Sequence, residues 1–308
     1  MPDKKAEIRA RESRWAVPAG LASIAGVILL IVSRPLGVSG DGQAELLREA
    51  NAHGGQVVLS DLMQALGFLL LALPLVYLFR AAAARSDRVR AQLIGLVIAA
   101  PLFLALSSGL SIGVTSEGAD DFVAGKAEAS LTPKEAREEC ADEKKNDGND
   151  HLVDEYEPAK GESPSAACEK RKIEDDEASE AIAETSLAPV STGLSLAGAF
   201  GFVVALMYTG LWAMRTGLLS RFWGSLGMVA GVAILLGPLI LVTLVFFVFF
   251  GLLCLGLVPG GKPPAWEAAE AVPWPTPGER AAAELEPEGG WDEDDEKDEG
   301  AATPPDRR

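Results

Sequence analysis

Gly109-Leu110-Ser111-Ile112-Gly113 spells G-x-S-x-G, the pattern in which a hydrolase presents a nucleophilic serine on a sharp strand-to-helix turn. That chemistry needs a base, nearly always histidine, held by a carboxylate. The chain has two histidines, His53 and His151, and both lie in polar stretches. Ser111 instead sits in an apolar run, 91–114. The reading that follows is a membrane helix, in which Gly109 and Gly113 admit a neighbouring helix and Ser107, Ser108 and Ser111 bond backbone carbonyls. Asn146-Asp147-Gly148-Asn149-Asp150 resembles a calcium loop. With Gly148 as its turn glycine, however, Lys145 falls at a ligand position, where an ammonium cannot bind a cation. Asp61 and Gln64 stand at the start of another apolar run, with Ser60 or Asp61 as the expected helix N-cap. Deeper in the runs there is no ionisable group to act as a proton or ion relay. No catalytic, cofactor or metal site is expected, and an enzyme is the least expected class, for want of an assembled acid, base, nucleophile or metal constellation.

The elements that carry these residues are read from where the charge falls. Of 44 acidic residues, 22 lie between 114 and 187 and 14 between 262 and 308, and the stretches before and between these blocks include apolar runs almost free of charge. A soluble domain mixes polar and apolar residues within each element, because each has an inside and an outside. Segregation along the chain is the composition of membrane spans joined by solvated segments. A hydrocarbon core about 30 Å thick needs about 20 apolar residues of helix. Residues 15–32, 62–79, 91–114 and 187–214 meet that length. Residues 222–258 as one helix would be about 55 Å long and need a tilt near 57°, beyond the usual range of about 0–40°. Two spans broken at Gly237-Pro238 fit better, because proline cannot continue the hydrogen-bond ladder and glycine permits the turn; the alternative is one kinked or re-entrant element, since no polar residue marks the turn.

The expected fold is thus all-α: a polytopic transmembrane bundle of about six spans, with a long acidic extracytoplasmic loop and a disordered acidic tail. The expected organisation is a basic cytoplasmic N-terminus (1–14), spans one to three (15–114), the acidic loop (115–186), spans four to six (187–258), and a tail rich in proline and tryptophan, then acidic (259–308). Orientation follows from arginine and lysine, which stay in the cytoplasm beside short loops. The N-terminal flank carries Lys4, Lys5, Arg9, Arg11 and Arg14, and the loop after span two carries Arg80, Arg85, Arg88 and Arg90. Both termini are therefore expected inside, in a plasma membrane. A basic segment before an apolar run also describes a cleaved signal peptide, but this run is long for one and Arg34 precedes the only small-residue cleavage motif.

Small residues recur at four-residue spacing, as Ala22/Gly26, Gly193/Ala197/Gly201 and Gly227/Gly231, and with Gly109 and Gly113 they are the expected helix-packing positions. Outside the runs, Thr132-Pro133-Lys134-Glu135 is a capping box that should start a helix over 135–145, and 173–184 should form a second. Cys140 and Cys168 share the extracytoplasmic segment and are expected to pair, while Cys254 lies in the last apolar run. Trp266 is expected as an aromatic anchor at the headgroup level.

The segment Thr216–Met228, with Pro264-Ala265-Trp266 and Pro273-Trp274-Pro275-Thr276 behind it, resembles multi-pass membrane proteins of high-GC Gram-positive bacteria that have no established activity. The resemblance implies the architecture alone and carries over no site residue. Two functional classes remain. One is a scaffold or accessory protein acting through its acidic loop and tail; the other is an oligomeric channel or transporter for a small molecule or ion, since neutral pores need no charge. Expected partners are the lipid bilayer, proteins meeting the acidic segments, and further copies of the chain; nucleic acid is not among them.

Overall fold

In the computed structural model, residues 2–147 and 163–274 are described, and every regular element among them is helical. Met1–Pro273 form one compact unit; the other, Trp274–Arg308, lies outside the described residues except for Trp274, and the expected disordered tail falls in it. Four helices are long and apolar enough to cross a membrane. They are α1 (Pro2–Leu36), α3 (Gly54–Arg85), α4 (Ile94–Val123, led in by a 3-10 turn at Ala91–Leu93) and α7 (Ala188–Arg215). Two shorter apolar helices, α8 (Arg221–Ala233) and α9 (Ile240–Leu255), are joined by a 3-10 segment, Ile234–Leu239, which contains Gly237-Pro238.

α8 and α9 form an antiparallel hairpin. Thr243 Oγ1 donates to the Ala230 carbonyl at 2.6 Å, Gly227 lies against Phe246, and Trp223 stacks on Phe249. At the bundle centre Phe79, Phe202, Phe246, Phe247 and Phe250 are fully buried, whereas Leu21, Ile28, Leu62, Phe200 and Leu241 point outward. Apolar side chains on both the inside and the outside of the same helices suit a lipid surround and not water.

Close backbone approaches are made by glycine pairs across helices. A Cβ on Gly26 would fall 3.0 Å from the Gly67 carbonyl oxygen, one on Gly20 would fall 2.9 Å from that of Gly251, and one on Gly210 would fall 3.0 Å from that of Gly224. These pairs join α1 to α3, α1 to α9, and α7 to α8. The expected packing set needs correction in part. Gly113 meets Leu187, Gly201 meets Ala100, Gly227 meets Phe246 and Gly231 meets Val203. Gly109 and Gly193 face open space, and Ala197 is exposed. On α7 the buried position is Gly198, seated on Leu104, one residue from Ala197. One residue of helix is about 100° of rotation, enough to turn a small-residue stripe outward.

α4 continues past residue 114, the expected end of its span, to Val123, and the described parts of the acidic segment carry the two expected helices and pack together. α2 (Gln43–Ala52), α5 (Pro133–Asp147) and α6 (Pro164–Ala183) build a cap over one end of the bundle. Its core is Ala44, Leu47, Ala50, Val57, Ala119, Ala127, Ala178 and Ala181. Alanine lets these helices approach closely but contributes little apolar area each, so ion pairs and a disulfide accompany it. α6 begins at Pro164, well before residue 173, because Ser163 Oγ accepts from the Ala166 N–H and Pro164 takes the first helical position. The capping box at Thr132 is present: its N–H donates to Glu135 Oε2, and its hydroxyl accepts from the Glu135 N–H. The calcium-like stretch runs into residues 148–150, outside those described.

Candidate functional site

The G-x-S-x-G serine lies on α4, facing α3. Ser111 Oγ is 2.7 Å from Asp61 Oδ2 and 2.7 Å from the Ser108 carbonyl, and its one proton can serve either acceptor. Ser107 donates to the Ser191 carbonyl and Ser108 to that of Leu104. Asp61 is no N-cap: α3 begins at Gly54, so Asp61 stands two turns inside the helix. His53 pairs with Glu49, on its own stretch of chain. Among the described residues no histidine or lysine addresses Ser111; its neighbours are the Asp61 carboxylate and the Ser108 carbonyl, so the contact fastens α4 to α3.

The polar contacts of the cap converge on α6. Asp175 Oδ1 accepts from the Ala44 N–H at 2.8 Å, capping the start of α2 from another helix, and the adjacent Asp176 accepts from the Leu131 N–H at 2.7 Å. Arg48 pairs with Glu174, Arg137 with Glu169, Arg171 with Glu45, and Lys172 with Glu139 and Glu143. Cys140 and Cys168, both buried, are joined by a disulfide that ties α5 to α6 with Cα atoms 6.1 Å apart. Cys254 is free and buried. The cap's basic groups are largely engaged within it. Glu117, Asp120, Glu128, Glu138, Asp142 and Glu184 remain on the exposed face. At the α5 N-terminus, hydrogen bonds from the Thr132 hydroxyl and N–H hold the Glu135 carboxyl below its ordinary range.

The opposite end of the bundle carries a buried ion pair. Arg85, on the last turn of α3, reaches Glu12 on α1 with Nη1 at 2.5 Å from Oε1 and Nη2 at 2.9 Å from Oε2. Nη1 also donates to the Ala81 carbonyl and Nε to that of Ala265. Over this pair folds the proline-tryptophan segment, including a short helix, α10 (Pro264–Ala268). Trp266 is buried in the protein and does not face outward: it stacks on Tyr77 with ring centroids 5.6 Å apart, lies 5.4 Å from the Arg85 guanidinium, and donates through Nε1 to the Leu218 carbonyl at 2.9 Å. Further on, Val272 N–H donates to the Thr216 carbonyl, and Glu270 pairs with Lys5. Gly217 has φ +76°, and a Cβ there would lie 1.9 Å from the Val272 oxygen, so only glycine fits this close, left-handed turn.

Nothing local in the sequence marks this clamp. Arg85 reads as one of four loop arginines, and Glu12 as one acid in a basic flank. One signal was available: Thr216–Met228 and Pro264-Ala265-Trp266, which stand out together in the sequence, touch at Leu218 and Trp266. Comparison with protein-family models, with curated proteins and with solved structures returns no match.

Proposed function

We propose that this protein is a non-enzymatic membrane scaffold, whose helical bundle anchors a folded, disulfide-clipped acidic cap outside the plasma membrane for recognition by basic partners. The observation that carries this reading is how the cap spends its charge. Its cations are paired with carboxylates of the cap itself, Arg48 and Arg137 on α6 and Arg171 on Glu45 of α2, while further carboxylates stay exposed, so the surface offered is acidic and held by a folded frame. A preorganised surface loses less entropy on binding than a flexible acidic loop would. The arginine distribution puts the cap outside and both termini inside, with α8 and α9 as spans five and six. Ser23 Oγ donates to the Phe247 carbonyl, and this antiparallel register sets residue 238 opposite residue 32, the far end of the first apolar run. The tail, 275–308, would serve partners on the other face.

The test replaces exposed carboxylates together: Glu128→Gln, Glu138→Gln, Asp142→Asn and Glu184→Gln. This variant should insert, keep its disulfide and yet reproduce the phenotype of a knockout. Crosslinks from a photoreactive side chain at Asp142 in native membranes should be lost with it. Full complementation by the charge-neutral cap would overturn the scaffold reading in favour of the bundle itself, as a channel or transporter would require.

A further inference from the structure

A groove of about 300 Å³ runs between α1 and α3 at the clamp end, closed on one side by Ile98 of α4. Its walls are mostly apolar, including Ala72 and Val76. Two arginines, Arg11 and Arg80, line its rim. Both are exposed, and neither has an ion-pair partner among the described residues. The groove's one acid, Glu12, is already neutralised by the bidentate grip of Arg85. The rim is therefore left with two uncompensated positive charges over an apolar slot. Trp15, also lining the groove, is half-exposed, as an indole is at the boundary between hydrocarbon and headgroups.

We propose that this groove is a binding site for an anionic phospholipid, one acyl chain lying in the slot and the headgroup phosphate held between Arg11 and Arg80. Three features of the site select this occupant. The slot opens beside helices whose outward faces are apolar, so its natural solvent is acyl chain. Guanidinium groups bind phosphate oxygens bidentately, which an ammonium cannot do. The positive charge sits beside the indole, at the depth where a lipid carries its phosphate. A zwitterionic lipid supplies the chain and the phosphate, but its cation opposes both arginines. The inference depends on insertion in a bilayer and is independent of what the cap binds.

Native mass spectrometry of the delipidated full chain, titrated with phosphatidylglycerol and with phosphatidylcholine, tests it. One phosphatidylglycerol should be retained about 30-fold more tightly than phosphatidylcholine, from about fivefold per arginine beside an anionic headgroup. Arg11→Gln with Arg80→Gln should reduce both lipids to the same affinity, with the melting temperature unchanged, because both side chains are exposed and the Glu12–Arg85 pair is untouched. Ala72→Phe, which fills the slot while leaving both arginines, should weaken both lipids alike. Millimolar inorganic phosphate should not displace the lipid. The proposal is overturned if the double variant keeps its preference, if phosphate competes and so marks a simple ion site, or if the groove is filled by a second copy of the chain, seen as a dimer that excludes lipid.

Discussion

Arg85 and Glu12, 73 residues apart, meet as a two-pronged ion pair between α3 and α1, and the Arg85 side chain is wholly removed from solvent. The guanidinium also donates to the carbonyls of Ala81 and Ala265, so the charge is satisfied by helix, partner and strap together. Burying two charges is costly, and the pair is stable only because each has the other.

Breaking the pair from one side should therefore cost more than removing it. Glu12→Ala should lower stability by about 3–5 kcal/mol, by leaving Arg85 buried and unpaired. Glu12→Leu with Arg85→Met should recover most of that loss. Thermal unfolding in one detergent, compared across the three proteins, decides it; equal losses in single and double variants would show that the pair contributes by its own attraction.

Trp266 should be what keeps the strap docked. Trp266→Ala removes the Tyr77 stack, the Arg85 contact and the bond to Leu218, and should cost about 3–5 kcal/mol. Trp266→Phe keeps a ring and loses the hydrogen bond, for about 1 kcal/mol. Amide exchange at Ala265–Val272 should accelerate strongly in the first variant and weakly in the second. Unchanged exchange in both would mean that Lys5–Glu270 and Val272–Thr216 hold the strap unaided.

The bridge between Cys140 and Cys168 spans 28 residues of sequence. Closing a loop of that size should stabilise the cap by roughly 3–4 kcal/mol in the chain-entropy description. Reduction should expose the amides of α5 and α6 to exchange and leave α1, α3 and α4 protected. Alkylation of both cysteines in unreduced protein from native membranes would refute the bridge.

Acid should loosen the start of α5. Glu135 has a folded-state pKa below its ordinary 4.5, because Thr132 hydrogen bonds favour its carboxylate. A depressed carboxyl pKa contributes stability that is fully present above the unfolded value and is lost as pH falls through the folded one. Protection of the first-turn amides of α5 should accordingly decline below pH 4.5. Glu135→Gln should show reduced protection at neutral pH and no decline on acidification, read by NMR amide exchange on the full chain in nanodiscs.

Sidedness is checked with single cysteines after the native three are replaced. Ser86→Cys should resist a membrane-impermeant thiol reagent in intact cells, and Ser163→Cys should label. Thr303→Cys reports on the hairpin: protection agrees with two crossings by α8 and α9, and labelling with a single one.

How much of this was legible in the sequence follows from how far each property reaches along the chain. The apolar runs, the capping box at Thr132 and the break at Gly237-Pro238 depend on neighbouring residues, so partitioning and local hydrogen bonding determine them without knowledge of the fold. The long helices α1, α3, α4 and α7 follow from such runs. Contacts that depend on how one helix is rotated against another are different. Gly26 on Gly67, Gly198 on Leu104, Asp61 on Ser111 and Glu12 on Arg85 join positions far apart in the chain, and no local period encodes their register. The same holds for the cap: α2 belongs to a different segment from α5 and α6, and only their assembly buries Leu47 and lets Asp175 cap Ala44. An acidic stretch read alone lacks the apolar surface to offset its chain entropy. Packed against residues from before α3 and from the end of α4, it gains the missing surface, which is why its folding was decided only in three dimensions.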